Sequence, residues 1–449
     1  MYDLIVIGGG PGGYEAAAHA GRLGKRVALV EERRLGGVCL HEGCIPTKTW
    51  LKTAGLLAAC RQAERYGIRI EGLAFDLAAL QQRKRRIVAT LERGVETLLK
   101  RSGVTVIRGR GRLAGRNQVR VNGATEQARH ILLATGSRPA LPAIEGIDSA
   151  QVFDPSSILE LEEAPRRLAI LGSDYIGLEF AGFFAATGTE VTVIDSSAEL
   201  RGLADPDVGR RLQEALARQG VGFELSAAVA RIEAGRVCYH DRAGQAKSLE
   251  VDAVLNATGR LPRVEDLGLE EAGVDFDARG IRTSEQGKTN VPGVWACGDV
   301  TGRMLLAHAA AREGVVAVNN MFGIRDRIRH EAVPAVVYTH PEAASVGRTE
   351  AELVRQGVEY RKAVVPMAIA GRFLIEQEGG SGMVKALVDA RYGTVLGVHA
   401  LGDGASEFIF GAAWMIEMEM RVADVRELVF PHPTISEALK EAVVAAGRE

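Results

Sequence analysis

Hydrophobic residues recur along this chain in short blocks, and the blocks come in related pairs. Leu4–Ile7 is an apolar run that reads as a buried strand. Gly8-Gly9-Gly10-Pro11-Gly12-Gly13 follows and opens a helix, and Val27-Ala28-Leu29-Val30-Glu31 is the next strand. Much later Leu168–Leu171 repeats the apolar run, Gly172-Ser173-Asp174-Tyr175-Ile176-Gly177 opens a second helix, and Val191-Thr192-Val193-Ile194-Asp195 follows. Gly8 is as far from Glu31 as Gly172 is from Asp195. Each copy also closes on a related element, Ala134-Thr135-Gly136-Ser137-Arg138-Pro139 and Ala257-Thr258-Gly259-Arg260-Leu261-Pro262. Two βαβ nucleotide-binding units explain this repeat economically. Residues 81–101 have helical periodicity with a basic face, expected to be solvated. From about Glu331 the pattern changes, and alternating apolar segments such as Val333–Tyr338 and Met383–Val388 suggest a mixed, largely antiparallel unit.

The expected fold class is therefore α/β, with two Rossmann-like three-layer nucleotide-binding domains and a C-terminal α+β domain. The expected bounds are 1–145 with 265–330 for the first domain, 146–264 for the second and 331–449 for the third. The 449 residues suit roughly two to four domains. Hydrophobic residues at 47% and charged residues at 25% are ordinary for a globular chain. A net charge of −2 gives no bias toward polyanions, so no nucleic-acid partner is expected. No apolar run approaches the roughly 18 residues of a membrane span. The N-terminal run lacks a basic leader, so a cytoplasmic location is the default expectation.

Gly8, Gly10 and Gly13 match G-x-G-x-x-G between a strand and a helix. The first glycine permits the tight turn, the second lets a pyrophosphate approach the backbone, and the third lets helix and strand pack closely. Glu31 stands where a carboxylate can accept ribose hydroxyls. Cys39 and Cys44 follow directly. They are too close for a four-cysteine zinc site, and no second pair follows; in a reducing compartment a close pair is more often catalytic or metal-binding than structural. A redox role would need one thiolate of low pKa, which a helix N-terminus or an imidazolium can supply. No metal site is expected. Cys60, Cys238 and Cys297 are isolated and read as small buried apolar residues.

Gly36–Lys48, Ala296-Cys297-Gly298-Asp299, Leu306-Ala307-His308, Val336–Glu342 and His432-Pro433-Thr434-Ile435-Ser436-Glu437 occur in an order that resembles the class I pyridine nucleotide–disulfide oxidoreductases. Within them the chain is most similar to the dihydrolipoamide dehydrogenases. The resemblance implies FAD in the first site, with Thr135, Gly136, Asp299 and Ala307 around it. It implies a redox disulfide in which Cys44 is the flavin-proximal sulfur and Cys39 exchanges with substrate. Lys48 and Glu179 would pair beside the flavin. His432 and Glu437 would form an acid–base pair reaching the disulfide of the opposite subunit of a homodimer. The implied activity oxidises protein-bound dihydrolipoyl groups, or free dihydrolipoamide, and passes hydride to NAD⁺. A 2-oxoacid dehydrogenase or glycine cleavage complex is the kind of assembly it would serve. A reductase for another disulfide or a metal ion, and a non-catalytic flavin-binding subunit, are the alternatives. Phe430 departs from a family pattern that often has a second histidine there.

Gly172, Gly177, Asp195 and Gly259 would form the NAD site. A carboxylate at Asp195 favours the free 2′-hydroxyl of NAD, and no arginine stands beside it in the sequence to take a 2′-phosphate. Asp174 breaks the pattern, because it occupies the middle glycine position. A like charge a few Å from a pyrophosphate costs roughly 1–3 kcal/mol at intermediate dielectric. Two outcomes are expected: either Asp174 turns outward with a small loop shift, or nicotinamide binding is weakened. Arg263 also departs, standing where many relatives have asparagine.

Overall fold

The computed structural model describes residues 1–202 and 205–448. Tyr2–Ile7 is the central strand of a seven-stranded sheet, pairing in parallel with Val27–Glu31 on one side and with Ala124–Leu133 on the other. Val294–Ala296 adds a parallel strand on the far edge of Ala124–Leu133, so the sheet takes strands from two distant parts of the chain. Leu4, Ile5 and Val6 are fully buried because sheet neighbours lie on both sides and layers on both faces. Helix Pro11–Arg22 packs on helix Ala307–Met321, and the third helical residue from the start, Gly13, lies against the first glycine of the loop.

The second unit repeats the plan. Arg167–Leu171, Glu190–Asp195, Val221–Leu225, Ala253–Asn256 and Val152–Phe153 form a five-stranded parallel sheet. A three-stranded antiparallel sheet, Ala228–Glu233 with Arg236–His240 and Ala246–Glu250, is attached. The last unit is a five-stranded antiparallel sheet built from Ala335–Val337, Ala343–Gly347, Val395–Leu401, Met383–Asp389 and Tyr360–Pro366, with helices Ala405–Glu417 and Glu437–Ala446 on it. The α/β class with two nucleotide-binding folds and an α+β unit is the observed one.

Some local expectations fail for identifiable reasons. Met383–Val388 does not alternate; all six residues are buried, because the helices cover one face while the second unit covers the other. Lys385 faces that second unit and is held by Asp205, Asp207 and Glu350 at 2.8–2.9 Å. The basic face of helix Leu77–Arg101 is not wholly solvated. Lys84 turns inward, donating at 2.6 Å to the Leu159 carbonyl and to Glu160. Of the three isolated cysteines only Cys297 is fully buried; Cys60 and Cys238 are partly exposed.

Aromatic packing locks two of the units together. Trp50, on helix Cys44–Arg61, is fully buried against Phe180, Phe183 and Phe184 of helix Tyr175–Thr187, with the Phe183 ring 4.5 Å away. That contact fixes the cysteine-bearing helix against the middle of the second glycine-loop helix.

Candidate active site

Three of the longer helices that begin at one cavity of about 1050 Å³ have no side-chain cap on their first turn. They start at Pro11, at Cys44 and at Ala307. Their free N–H groups and dipoles make the cavity receptive to negative charge. Gly10 leaves the first of these starts bare. Glu31 braces the glycine loop, accepting from the Gly9 amide at 2.6 Å and the Arg33 amide at 2.7 Å. The uncapped glycine loop, its braced carboxylate and the length of the cavity fit an extended dinucleotide such as FAD.

Cys39 and Cys44 line this cavity and are joined as a disulfide, with their Cα atoms 4.7 Å apart. Cys44 is the first residue of helix Cys44–Arg61, so a thiolate formed there faces the positive end of a helix dipole. One turn on, Lys48 donates to both oxygens of Glu179 at 2.7 and 2.8 Å. Glu179 is buried and also accepts the Tyr338 amide at 3.0 Å, so three units of the fold meet on one carboxylate. Asp299 accepts from the Ser137 hydroxyl, which in turn accepts from Arg260 at 2.8 Å. Burial raises the Asp299 carboxyl above its usual range, opposed by those two partners.

The structure brings Gly8, Gly10, Glu31, Cys39, Cys44, Lys48, Thr135, Gly136, Glu179, Asp299 and Ala307 around the one cavity. Gly13 lies just behind it, packed on the Gly8 carbonyl. Thr135 donates to the Arg263 carbonyl at 2.9 Å, and the Arg263 guanidinium lies 3.5 Å from Glu32 on the cavity wall. His432 and Glu437 are elsewhere. His432 is 77% exposed, its Nδ1 3.0 Å from Glu437, and it does not line the cavity of its own chain. Glu437 also accepts the Thr434 amide; the His432 contact and this amide hold its carboxyl below the usual range. Phe430 packs against the core of the last unit, 5.4 Å from the Lys440 ammonium.

Gly172, Gly177, Asp195 and Gly259 lie together at the second glycine loop, outside that cavity. The first outcome expected for Asp174 is not seen: its backbone keeps the angles of Gly10, and the side chain does not turn outward. It folds inward and caps helix Tyr175–Thr187, accepting from the Ile176 amide at 3.0 Å and the Gly177 amide at 3.1 Å. Asp195 also has an arginine after all: Arg201 reaches back to it at 2.9 Å.

Two residues escaped the sequence reading. Arg201 is six positions beyond Asp195, and only the turn of the chain returns it. His41 sits between the two cysteines and lines the cavity; its Nε2 contacts the Leu35 carbonyl at 2.7 Å while its buried Nδ1 has no partner. Its place inside the cysteine loop was the available signal, but spacing alone does not say which way a ring on a short helix points.

Two dinucleotide folds converging on a disulfide-bearing cavity define a redox α/β protein that works through thiols. The profile of the family described as pyridine nucleotide-disulphide oxidoreductase matches residues 2–314, and that of its dimerisation domain matches residues 333–443. The chain belongs to this family, and it is a flavoprotein disulfide oxidoreductase using FAD and NAD(H). It is 41% identical to dihydrolipoyl dehydrogenase 3 of Pseudomonas aeruginosa, across 99% of this chain and 97% of that protein. It is 35% identical to dihydrolipoyl dehydrogenase of Bacillus subtilis, across 98% of each. Among solved structures it is similar to LpdA of Mycobacterium tuberculosis, at 27% identity and a TM-score of 0.90 over 98% of this chain and 99% of that one. It is also similar to the HOCl-induced flavoprotein disulfide reductase RclA of Escherichia coli, at 28% identity and 0.86 over 99% of each chain. Among the described residues no helix is long and apolar enough to cross a membrane.

Proposed function

We propose that this enzyme oxidises dihydrolipoyl groups, protein-bound or free, and hands the electrons to NAD⁺. The observation that carries the proposal is the Cys39–Cys44 disulfide at a bare helix start, on the same cavity as the uncapped first glycine loop. The relatives named as dihydrolipoyl dehydrogenases support the substrate class.

The chain works as a homodimer, with the exposed stripe Phe410, Trp414 and Met418 along helix Ala405–Glu417 and its end as part of the buried surface. His432 of the partner subunit takes the proton from the first substrate thiol. Glu437 occupies Nδ1 and sets the tautomer, which leaves Nε2 as the base. The substrate thiolate attacks Cys39, the Cys39–Cys44 bond breaks, and Cys44 leaves as a thiolate stabilised by the helix dipole. The second substrate thiol, its proton passing to the Cys39 sulfur as that sulfur leaves, attacks the mixed disulfide at the substrate sulfur. This releases Cys39 and closes the lipoyl disulfide, so one dithiol is oxidised and one disulfide reduced. FAD, held by Gly8, Gly10, Gly13, Glu31, Thr135, Gly136, Asp299 and Ala307, supplies the two-electron relay from this dithiol to NAD⁺. Lys48 and Glu179 neutralise each other beside the relay and fix the local charge. Gly172, Gly177, Asp195 and Gly259 hold the nicotinamide coenzyme. A lipoyl domain of a 2-oxoacid dehydrogenase or glycine cleavage complex is the natural partner.

Anaerobic mixing with dihydrolipoamide tests this. The flavin is expected to be reduced, with a long-wavelength band that Cys44→Ser abolishes. His432→Ala is expected to lower turnover by about 10²–10⁴-fold with the oxidised flavin spectrum unchanged. A flavin that stays oxidised in the native enzyme would sink the reading.

A further inference from the structure

The two glycine loops share one backbone. Gly10 has φ −75° and ψ −177°, and Asp174 has φ −78° and ψ 178°. Both residues are the cap of the helix that follows. In the first loop a Cβ built on Gly10 would meet nothing nearer than the Gly37 Cα at 3.9 Å, so the helix start lies open. In the second loop one oxygen of Asp174 accepts both the Ile176 and Gly177 amides. Amides at a helix start are the donors that seat a phosphate.

A second difference stands beside the first. Glu31 accepts two backbone amides, and a carboxylate has about four acceptor positions, so two remain for a ribose. Asp195 accepts the Ser173 amide at 2.7 Å, the Ser173 hydroxyl at 2.8 Å and the Ser197 amide at 2.7 Å, and it forms an ion pair with Arg201, whose Nε lies 2.9 Å away. Three of its roughly four acceptor positions are taken, and its charge is paired with Arg201. Arg201 also bonds the Ser197 and Ser196 hydroxyls at 2.7 and 2.8 Å, which straps the following turn down. A Cβ on Gly202, next in the chain, would lie 3.2 Å from the Tyr175 amide at the helix start.

Resting on the proposed function, we infer that Asp174 and Arg201 are specificity-determining residues that occupy the coenzyme's own seats, the carboxylate in place of the pyrophosphate and the guanidinium in place of the ribose hydroxyls. Nicotinamide coenzyme binds by displacing both. The second site therefore discriminates against weakly held dinucleotides and keeps a lower affinity than its fold permits. Burial raises the Asp174 carboxyl to about 6, which makes its displacement easier in mild acid.

Titration of NAD⁺ into the oxidised, FAD-loaded enzyme, followed by calorimetry, reads this without turnover. Asp174→Gly is expected to tighten the dissociation constant at least tenfold, and Arg201→Gln severalfold. Asp174→Asn keeps a capping side chain and removes the charge. It decides the matter if the glycine variant does not fold, with severalfold tightening expected. Dissociation constants in the Asp174 variants that equal or exceed the native value overturn the inference. Flavin reduction by dihydrolipoamide in the native enzyme, without NAD⁺, tests the proposed function separately: it can succeed while the Asp174 inference fails, or fail while NAD⁺ binding still responds to Asp174.

Discussion

Among the three glycine positions of the loop motif, the two nucleotide-binding units differ at the one that the backbone itself does not require. A Cβ at Gly8 would lie 2.3 Å from the Ala134 carbonyl oxygen, and one at Gly172 would lie 2.2 Å from that of Ala257. Both glycines also sit at φ above +100°, a region side chains avoid. A Cβ at Gly13 would lie 1.8 Å from the Gly8 carbonyl oxygen, and one at Gly177 would lie 2.3 Å from that of Gly172. The first and third glycines of each loop are thus demanded by the backbone around them. The middle one is demanded only by a ligand. Aspartate at 174 therefore leaves the fold intact while changing what the loop can hold.

The comparison breaks most violently at the third glycine. Gly13→Ala and Gly177→Ala each push a methyl into a backbone carbonyl that cannot give way. Both are expected to yield little soluble protein, and the alanine at 13 none that holds flavin. Far-UV dichroism and flavin content of the purified variants check this. Folded, yellow Gly13→Ala would mean that the loop has slack the packing does not show.

Next in size is the transplant Gly10→Asp, which copies the second loop into the first. Space exists for the side chain, and the backbone already has the angles of a capping aspartate. The expected product is folded and colourless. Its FAD affinity, measured by reconstituting apoprotein, is expected to fall at least a hundredfold while the melting temperature of the apoprotein holds or rises. Retention of flavin at native affinity would show that a carboxylate at this position is no barrier, and would remove the physical basis assigned to Asp174.

Trp50→Ala tests how the units are held in register. It opens a cavity among Phe180, Phe183 and Phe184, and such a truncation costs about 3–5 kcal/mol. Loosening helix Cys44–Arg61 from helix Tyr175–Thr187 also frees Lys48 from Glu179, so the flavin spectrum is expected to shift together with the loss in thermal stability. A spectrum unmoved in a destabilised protein would mean that the pair does not depend on this packing.

The strands and glycine loops were legible because each repeats a local rule. An apolar run enters a turn whose first and third glycines have no substitute, and an acid closes the second strand. Cys39, Cys44 and Lys48 were legible for the same reason, since they share a continuous segment. What the chain order conceals is folding across distance. Arg201 returns to Asp195 through a turn, Lys84 finds a carbonyl at Leu159, and the strand at Met383 has its second face buried by a unit far upstream. Asp174 marks the boundary between the two kinds of knowledge. Its departure from the pattern is plain in the chain order, but its effect depends on a rotamer, because the charge is set by the residue type while the amides it bonds are set by the folded loop.

The smallest expected effect is a pH dependence confined to the second loop. The ordinary aspartate value is about 3.9, and in the folded chain Asp174 titrates near 6, raised by burial and then by the charges of Asp195 and Glu179 against the pull of two amides. Arg201 faces the same loop but does not titrate in this range, and burial holds the Tyr175 hydroxyl far above it. The sign follows from the raised value: the folded protein holds this proton more tightly than the unfolded chain. The contribution to stability is therefore greatest below about 4, falls as pH rises, and is lost above about 6. Native protein is expected to gain stability relative to Asp174→Asn as pH is lowered from 7 to 5. NAD⁺ affinity is expected to improve severalfold over the same window in the native protein and stay flat in the asparagine variant. The first loop, with no carboxylate at its helix start, provides the internal control, because FAD affinity should show no counterpart of this step. Parallel pH curves for native and Asp174→Asn proteins would show that the proton is not on this carboxyl.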